Sequence, residues 1–340
     1  MLLRVASAFL MVMTALGCGK NPYNLIYGHK RGDLFTASPM KVADLTQIVA
    51  LGNLNPPGHV FPTDHMYFYY RTSLDDTVVR KVYAPASGRI EDIGSSGGGD
   101  QSLRVIVNSR MQYDMGHIFV SSSLKVGDTI TAGQEIGTNG GAYGIDLGVV
   151  DAEVTAGFIN PKRYPCSGLH KISAWSVFTP SVQAELLPKS ARLSGDPGGT
   201  FVHDKAGTMA GNWFGDGLPE TDQANVISAN PKHLAIVYDN FLPTQIRVSF
   251  GGDLNATITG AYGVQAGAMA PENTSVDSGT VCYELRNYNV NTHQSEATRV
   301  GYLLLKLVNG GQLSAEVVET TTVPCSGALT MSAGAKTYYR

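Results

Sequence analysis

Charge is scarce in this sequence: Asp, Glu, Lys and Arg make up 16% of 340 residues, and the formal net charge is -3. With no basic excess there is no electrostatic footprint for a phosphate backbone, so nucleic acid is excluded as a partner. Long apolar runs are missing after the first seventeen residues, so nothing further along has the length and hydropathy of a membrane-spanning helix. Nucleotide-binding loops are missing too. The triple glycine at Gly97-Gly98-Gly99 is followed by no Gly-Lys-Ser/Thr and opens no helix, so it reads as a hairpin tip between Gly94 and Gln101. Beyond Phe201 there is no nucleophile elbow, zincin motif or nucleotide motif. Glycine, by contrast, is plentiful, at 39 residues.

The informative stretch runs from Tyr113 to Asp151. Short apolar runs alternate with Gly127-Asp128 and Ala132-Gly133-Gln134 turns, the pattern of short β-strands with tight connections. His117 stands near its start, and Asp146 and Asp151 near its end. The order Gly116-His117-Ile118, Val126-Gly127-Asp128-Thr129-Ile130 and Ala132-Gly133-Gln134-Glu135-Ile136-Gly137 resembles the core of the lysostaphin-type zinc endopeptidases, which cut peptide cross-bridges in bacterial cell walls. Upstream, Ala84-Pro85-Ala86-Ser87-Gly88-Arg89-Ile90 resembles their Ala-Pro-x-x-Gly-x-Val strand, and Asp64-His65-Met66-Tyr67-Phe68 falls at their first metal motif. The resemblance covers roughly residues 53–154. Biotinyl and lipoyl carrier domains share the same hybrid-barrel turns, but there is no Met-Lys-Met attachment site here.

What the resemblance implies for a metal is specific. His65 matches the first zinc ligand, whereas Tyr69 occupies the position of the ligating aspartate. Asp146-Leu147-Gly148 replaces a His-x-His motif, leaving Gly148 at a ligand position and Asp146 at a catalytic one. His117 matches the other active-site histidine. One expected ligand of three remains, against the three protein ligands and open position that catalytic zinc requires. His59 and Asp64 are the obvious replacements, but they are five residues apart, whereas side chains on a strand share a face at even spacing, and Pro62 argues against a regular strand there. The expectation is therefore that no cofactor is held, with zinc the cofactor if the protein is active through an altered set including Asp146. His59, Asp64, Tyr67 and Tyr69 are then read as groove-lining residues.

The remaining chain divides around this region. Residues 1–17 carry one arginine and an apolar run too short to span a bilayer, ending at Ala15-Leu16-Gly17 before Cys18, an export signal. That ending resembles a bacterial lipobox with Ala15 where leucine is usual, which makes Cys18 the candidate lipidation site; the alternative is an ordinary signal peptide cleaved nearby. A lead segment occupies residues 18–52, where Val42, Leu45, Ile48 and Val49 are spaced for a short helix between Met40 and Leu51. The lysostaphin-like domain spans residues 53–190 and ends with a short helix predicted from Pro180 to Leu187. Residues 191–200, rich in Gly, Pro and Ser, read as a linker. From 201 to 340 come β-rich runs, Leu234–Tyr238, Gln245–Phe250, Ala256–Tyr262, Val281–Tyr288, Val300–Leu307 and Leu313–Val318, which predict an antiparallel sandwich or barrel.

The fold class expected is mainly β: a hybrid-barrel domain followed by a β-sandwich or barrel. Cys282 and Cys325 fall within one β-domain and are expected to form a disulfide after export, leaving Cys166 as the odd, reduced thiol. The functional expectation is an exported, membrane-anchored cell-envelope protein that keeps a peptidase fold as an inactive binding or scaffold module. Its partner would be peptidoglycan or an envelope peptide or protein. The alternative is an active zinc endopeptidase on peptidoglycan cross-bridges, with His117 and Asp146 catalytic.

Overall fold

Alternation of apolar and polar residues along most β-runs gives each strand one face to bury, and the chain is mainly β as expected. The structure, a computed structural model, describes residues 34–220, 231–289, 292–319, 325 and 330–340. Its first part is a ten-stranded sheet with the hydrogen-bonded order β1 (Gln47–Val49), β2 (Met66–Tyr69), β9 (Gly144–Asp151), β6 (Met111–Val120), β5 (Asp100–Ile106), β4 (Gly88–Gly97) and β7 (Thr129–Ile130). β3 (Lys81–Tyr83) pairs with β8 (Glu135–Asn139), which also pairs with β6, and β10 (Lys171–Ile172) pairs with β9. The neighbouring strands are antiparallel.

Alternation fixes which side chains reach the core. Met66 and Phe68 of β2, Ile145, Leu147 and Val149 of β9, and Met111, Tyr113 and Met115 of β6 point into one apolar cluster. Their neighbours one residue along, Tyr67, Tyr69, Asp146, Gly148, Asp114 and Gly116, therefore share the opposite face.

The helix predicted between Met40 and Leu51 does not form. A 3-10 turn at Val42–Asp44 leads instead into β1, where Ile48 pairs with Phe68 and Val49 with Tyr67. Ile48 and Val49 are β-branched and bury almost completely against β2; an apolar face of so few turns is outweighed by that pairing. The predicted helix at Pro180 does form, as α1 (Pro180–Leu186), burying Val182 and Leu186. The glycine-rich tip between β4 and β5 is a hairpin turn with φ of +85°, +63° and +93° at Gly97, Gly98 and Gly99.

The second part closes into an eight-stranded barrel of β11 (Gly211–Gly215), β12 (His233–Tyr238), β13 (Ile246–Phe250), β14 (Gly260–Val264), β15 (Thr280–Asn289), β16 (Gln294–Asn309), β17 (Gln312–Val318) and β18 (Lys336–Tyr339). Of the two alternatives, the barrel is the one adopted. The closing strands β11 and β18 were not foreseen, because Gly211-Asn212-Trp213-Phe214-Gly215 carries glycine at both ends and β18 is only four residues long. Trp213, Leu234, Ile236, Val248, Phe250, Tyr283, Leu303 and Leu305 fill the interior.

β12 explains how the two parts join. Leu234 and Ile236 point into the barrel, while Ala235 and Val237, with Phe214 of β11, belong to the core cluster of the first part. A strand buried on both faces reads as a continuous apolar run, as Leu234-Ala235-Ile236-Val237 does. At the same seam the Phe61 ring stacks on His233 with centroids 3.9 Å apart, and the Tyr164 hydroxyl accepts a hydrogen bond from Asn212 Nδ2 at 3.3 Å.

Cys282 and Cys325 form the expected disulfide. Cys166 departs from expectation: it too is disulfide-bonded, with a partner outside the described residues, and no described cysteine is free. Pairing only the two cysteines that share a β-domain left Cys166 as the odd thiol, which is why the sequence reading missed its bond. Cys18 lies outside the described residues. No helix among those residues is long and apolar enough to cross a membrane.

Candidate functional site

Three adjacent strands build a groove on the face opposite the core. Tyr67 of β2 pairs with Asp146 of β9, which in turn faces Gly116 of β6. One row along, Tyr69 pairs with Gly144; one row the other way, Gly148 faces Asp114. Period-two geometry thus brings together side chains far apart in sequence. His65, just before β2, lies beside Gly148, since a β-carbon added there would stand 3.6 Å from His65 Cβ.

His117 enters the groove by a different route. Its φ is +59°, a left-handed conformation that is uncommon outside glycine. The register of β5 on β6 shifts at this point, between the Gln101–Ile118 and Leu103–Met115 pairs. Buried positions change phase from Met111, Tyr113 and Met115 to Ile118. The strained residue thereby re-aims the strand, as bulges beside functional sites do.

The result is an alternating chain of acids and imidazoles. Asp64 Oδ1 holds His65 Nδ1 at 3.0 Å, and Asp100 Oδ2 holds His117 Nδ1 at 3.1 Å. Both Nε2 atoms face one carboxylate oxygen, Asp146 Oδ2, at 3.7 Å from His65 and 3.6 Å from His117. His59 stands against His65 with ring centroids 5.5 Å apart, His65 packs edge-on against Tyr67, and the Tyr67 and Tyr69 rings stack in parallel at 5.7 Å. His59, Asp64, His65, Tyr67, Tyr69, His117 and Asp146 therefore occupy one neighbourhood.

Three members were not singled out from the sequence. Asp100 is 4% exposed, and its Oδ1 accepts the Gly141 amide at 2.7 Å, so it orients His117 from beneath. Its signal was its place at the end of the Gly97-Gly98-Gly99 tip. Lys171 of β10 reaches across β9 until its Nζ lies 2.6 Å from where a Gly148 β-carbon would stand. Asp114 Oδ2 is 3.5 Å from that ammonium, while Oδ1 accepts from Arg104 Nε at 2.6 Å. Nothing in local sequence ties Lys171 to Gly148; only the β9–β10 pairing does.

Electrostatics follow from these contacts. Burial alone would lower the His65 pKa, but Asp146 and the hydrogen bond to Asp64 outweigh it and raise the value. His59 is pushed down to about 4 by burial and by the neighbouring His65. Burial works to raise Asp64, yet the Lys171 ammonium and its bond to His65 hold it well below the usual carboxylate range. Tyr69 is pushed up to about 12 by burial and by Asp146. The site therefore favours a protonated His65, a neutral His59 and neutral tyrosines. His65 Nε2, Asp146 Oδ1 and the Tyr67 hydroxyl are buried and have no hydrogen-bond partner, the first two offering a donor and an acceptor to an incoming group.

The residues fit zinc poorly. Among the described residues no group of three or more His, Cys, Asp or Glu side chains is arranged to hold a metal ion. Tyr69 lies flat on Tyr67, Gly148 supplies no imidazole, and the Lys171 ammonium fills the space above it. A fixed cation so close repels a second one.

No family model matches the chain, and no curated protein matches it. Among solved structures it is similar to Helicobacter pylori Csd3, at 19% identity and TM-score 0.28, over 36% of this chain and 32% of that one. It is also similar to a zinc-containing peptidase from Vibrio cholerae, at 20% identity and TM-score 0.29, over 36% of this chain and 40% of that one. A third is the catalytic domain of lysostaphin from Staphylococcus simulans, at 21% identity and TM-score 0.27, over 35% of this chain and 90% of that one. The matches thus span well under half of the first two proteins. Lysostaphin-type peptidases and Csd3 are thus its neighbours at low identity and partial coverage, a likeness that assigns no residue a role.

Proposed function

We propose that the protein is an exported cell-envelope protein whose histidine groove binds an envelope peptide or protein, peptidoglycan peptides included, without hydrolysing it. The observation that carries this reading is Lys171: its ammonium lies beside His65, over Gly148, in the space a metal and its third ligand would need. A backbone amide suits the unpartnered donor and acceptor, its carbonyl accepting from His65 Nε2 and its N–H donating to Asp146 Oδ1. The stacked Tyr67 and Tyr69 rings offer a flat surface beside it.

Export belongs to the same proposal, supported by the Cys282–Cys325 bond, because cytosolic thiols stay reduced. The second reading, a zinc endopeptidase with an altered ligand set built on His65, with His117 and Asp146 catalytic, draws on the convergence of both Nε2 atoms on Asp146 Oδ2.

Metal analysis of protein purified without chelator separates the two readings. The expected result is substoichiometric zinc, with no cleavage of peptidoglycan or glycine-rich peptides when zinc is added. One tightly bound zinc, with peptidase activity lost in His65→Ala or Asp146→Ala, would establish the enzyme instead.

A further inference from the structure

A cleft lies apart from the histidine groove, among the described residues of the second unit. It lies where the segment entering the barrel, Val202–Lys205, crosses the end of β12 beside the 3-10 turn Pro271–Asn273, and has a volume of about 270 Å³. A second cleft of about 180 Å³ adjoins it and shares His203 and Tyr238.

Its walls combine apolar surface with unspent acceptors. Val202, Ala210, Ile236 and Pro271 supply the apolar part. Glu272 carries the acceptor capacity: both its oxygens take the Tyr238 hydroxyl at 2.9 Å, which leaves most of the four or so bonds a carboxylate accepts. Asp204, by contrast, is engaged by the amides of Ile159 and Asn212 at 3.1 Å and 3.0 Å. His203 Nε2 is shielded from water without a hydrogen-bond partner, an unmet acceptor or donor at the wall of both clefts. Burial lowers the His203 pKa to about 4, so the imidazole is neutral and adds no positive charge. The larger cleft thus sets Glu272 and Asp204 against Lys205, which stands exposed at the rim; Arg340 bears on Asp204 from behind, so Glu272 is the carboxylate left for a cation. In the smaller cleft Arg192 is turned to the Asn240 carbonyl at 2.5 Å, and Asp239 is bound to Arg247 at 2.7 Å.

We propose that this cleft binds a primary ammonium group carried on a short aliphatic chain, with the ammonium on Glu272 and the chain against Ile236, Ala210 and Pro271. Such a ligand, an alkylamine or the side chain of a basic amino acid, matches both the excess of acceptors and the apolar wall. It is independent of the histidine groove.

Calorimetry with n-butylammonium, 1-butanol and butyrate on the full chain tests the proposal. The expected order is saturable binding of n-butylammonium and none of butyrate. Glu272→Gln, which keeps the shape and removes the charge, should weaken n-butylammonium binding about tenfold, the loss expected for one charge-assisted hydrogen bond. Lys205→Glu, an exposed change that leaves the fold alone, should tighten it. Absence of saturable n-butylammonium binding, equal affinity for 1-butanol, or affinity unchanged in both variants would overturn the proposal.

Discussion

Asp146 is the residue on which the groove turns, because it receives both histidines while its second oxygen stays unpartnered. Raised and lowered pKa values on neighbouring histidines give opposite pH dependences. His65, raised, contributes stability that is fully present below pH 6.5 and lost as pH rises through its folded pKa. His59, lowered to about 4, contributes stability present above pH 6.5 and lost as pH falls toward 4. Histidine titration by NMR should therefore show His59 charging well below His65; a His59 that charges first contradicts this geometry. Replacing Lys171 by Met should raise both the Asp64 and His65 pKa values, since the ammonium lowers each. The same residue governs metal engineering. Tyr69→Asp with Gly148→His restores the family's ligand types, but the new β-carbon would stand 2.6 Å from Lys171 Nζ. Zinc affinity should accordingly be weak in the double variant and rise when Lys171→Met is added, measured by competition with a chromogenic chelator. Equal affinity in the double and triple variants would show that Lys171 does not obstruct the site.

At the scale of elements, close backbone approach decides the seam between the lead segment and the strands beyond residue 190. Gly52 has φ +94°, and a β-carbon there would stand 2.2 Å from the Thr200 carbonyl oxygen. Thr200 follows Gly199, whose amide donates to the Asp196 carbonyl at 3.1 Å within its own turn and whose β-carbon position lies 2.6 Å from the Leu51 carbonyl oxygen. Gly52→Ala should destabilise the fold by about 2 kcal/mol or more, combining the left-handed penalty with the clash. Urea unfolding checks the magnitude, and a change below about 0.5 kcal/mol, the size of an ordinary surface substitution, would mean that the two segments move apart freely. The left-handed His117 acts on the same scale, since the phase change it introduces lets β6 keep Ile118 in the core while presenting an imidazole to the groove.

For the whole molecule, the two β-units share buried surface through β11 and β12, and a disulfide lies within the second of them. The Cys282–Cys325 bond closes a sequence separation of 43 residues, worth about 4 kcal/mol on the chain-entropy model. Cys282→Ser with Cys325→Ser should lower the unfolding free energy by roughly that amount. Non-reducing peptide mapping should recover the Cys282–Cys325 peptide and find Cys166 in a disulfide. A free Cys166 thiol would contradict the fold's account of it. The same map reads what Cys18 carries, since its sulfur can hold a lipid thioether or another sulfur but not both.

Local sequence determined the strands, their turns and the groove's recognisable half. Short apolar runs bounded by turn signals marked β9 and the later barrel strands, and the residues at Gly116-His117 and Asp64-His65 carried the resemblance that put them in one site. These signals are short-range, written in turn chemistry and in which face of a strand is apolar. Ile48 and Val49 show where such signals stop: their spacing suits a helix, but pairing with β2 makes them strand. Tertiary structure alone decided the rest. Whether the second unit was a sandwich or a barrel depended on β11 and β18 meeting across more than a hundred residues. Asp100 reached His117 only because a register shift re-aimed the strand, and Lys171 came over Gly148 only because β10 pairs with β9. The charge that sets the groove's chemistry was thus supplied by residues with no local reason to be near it.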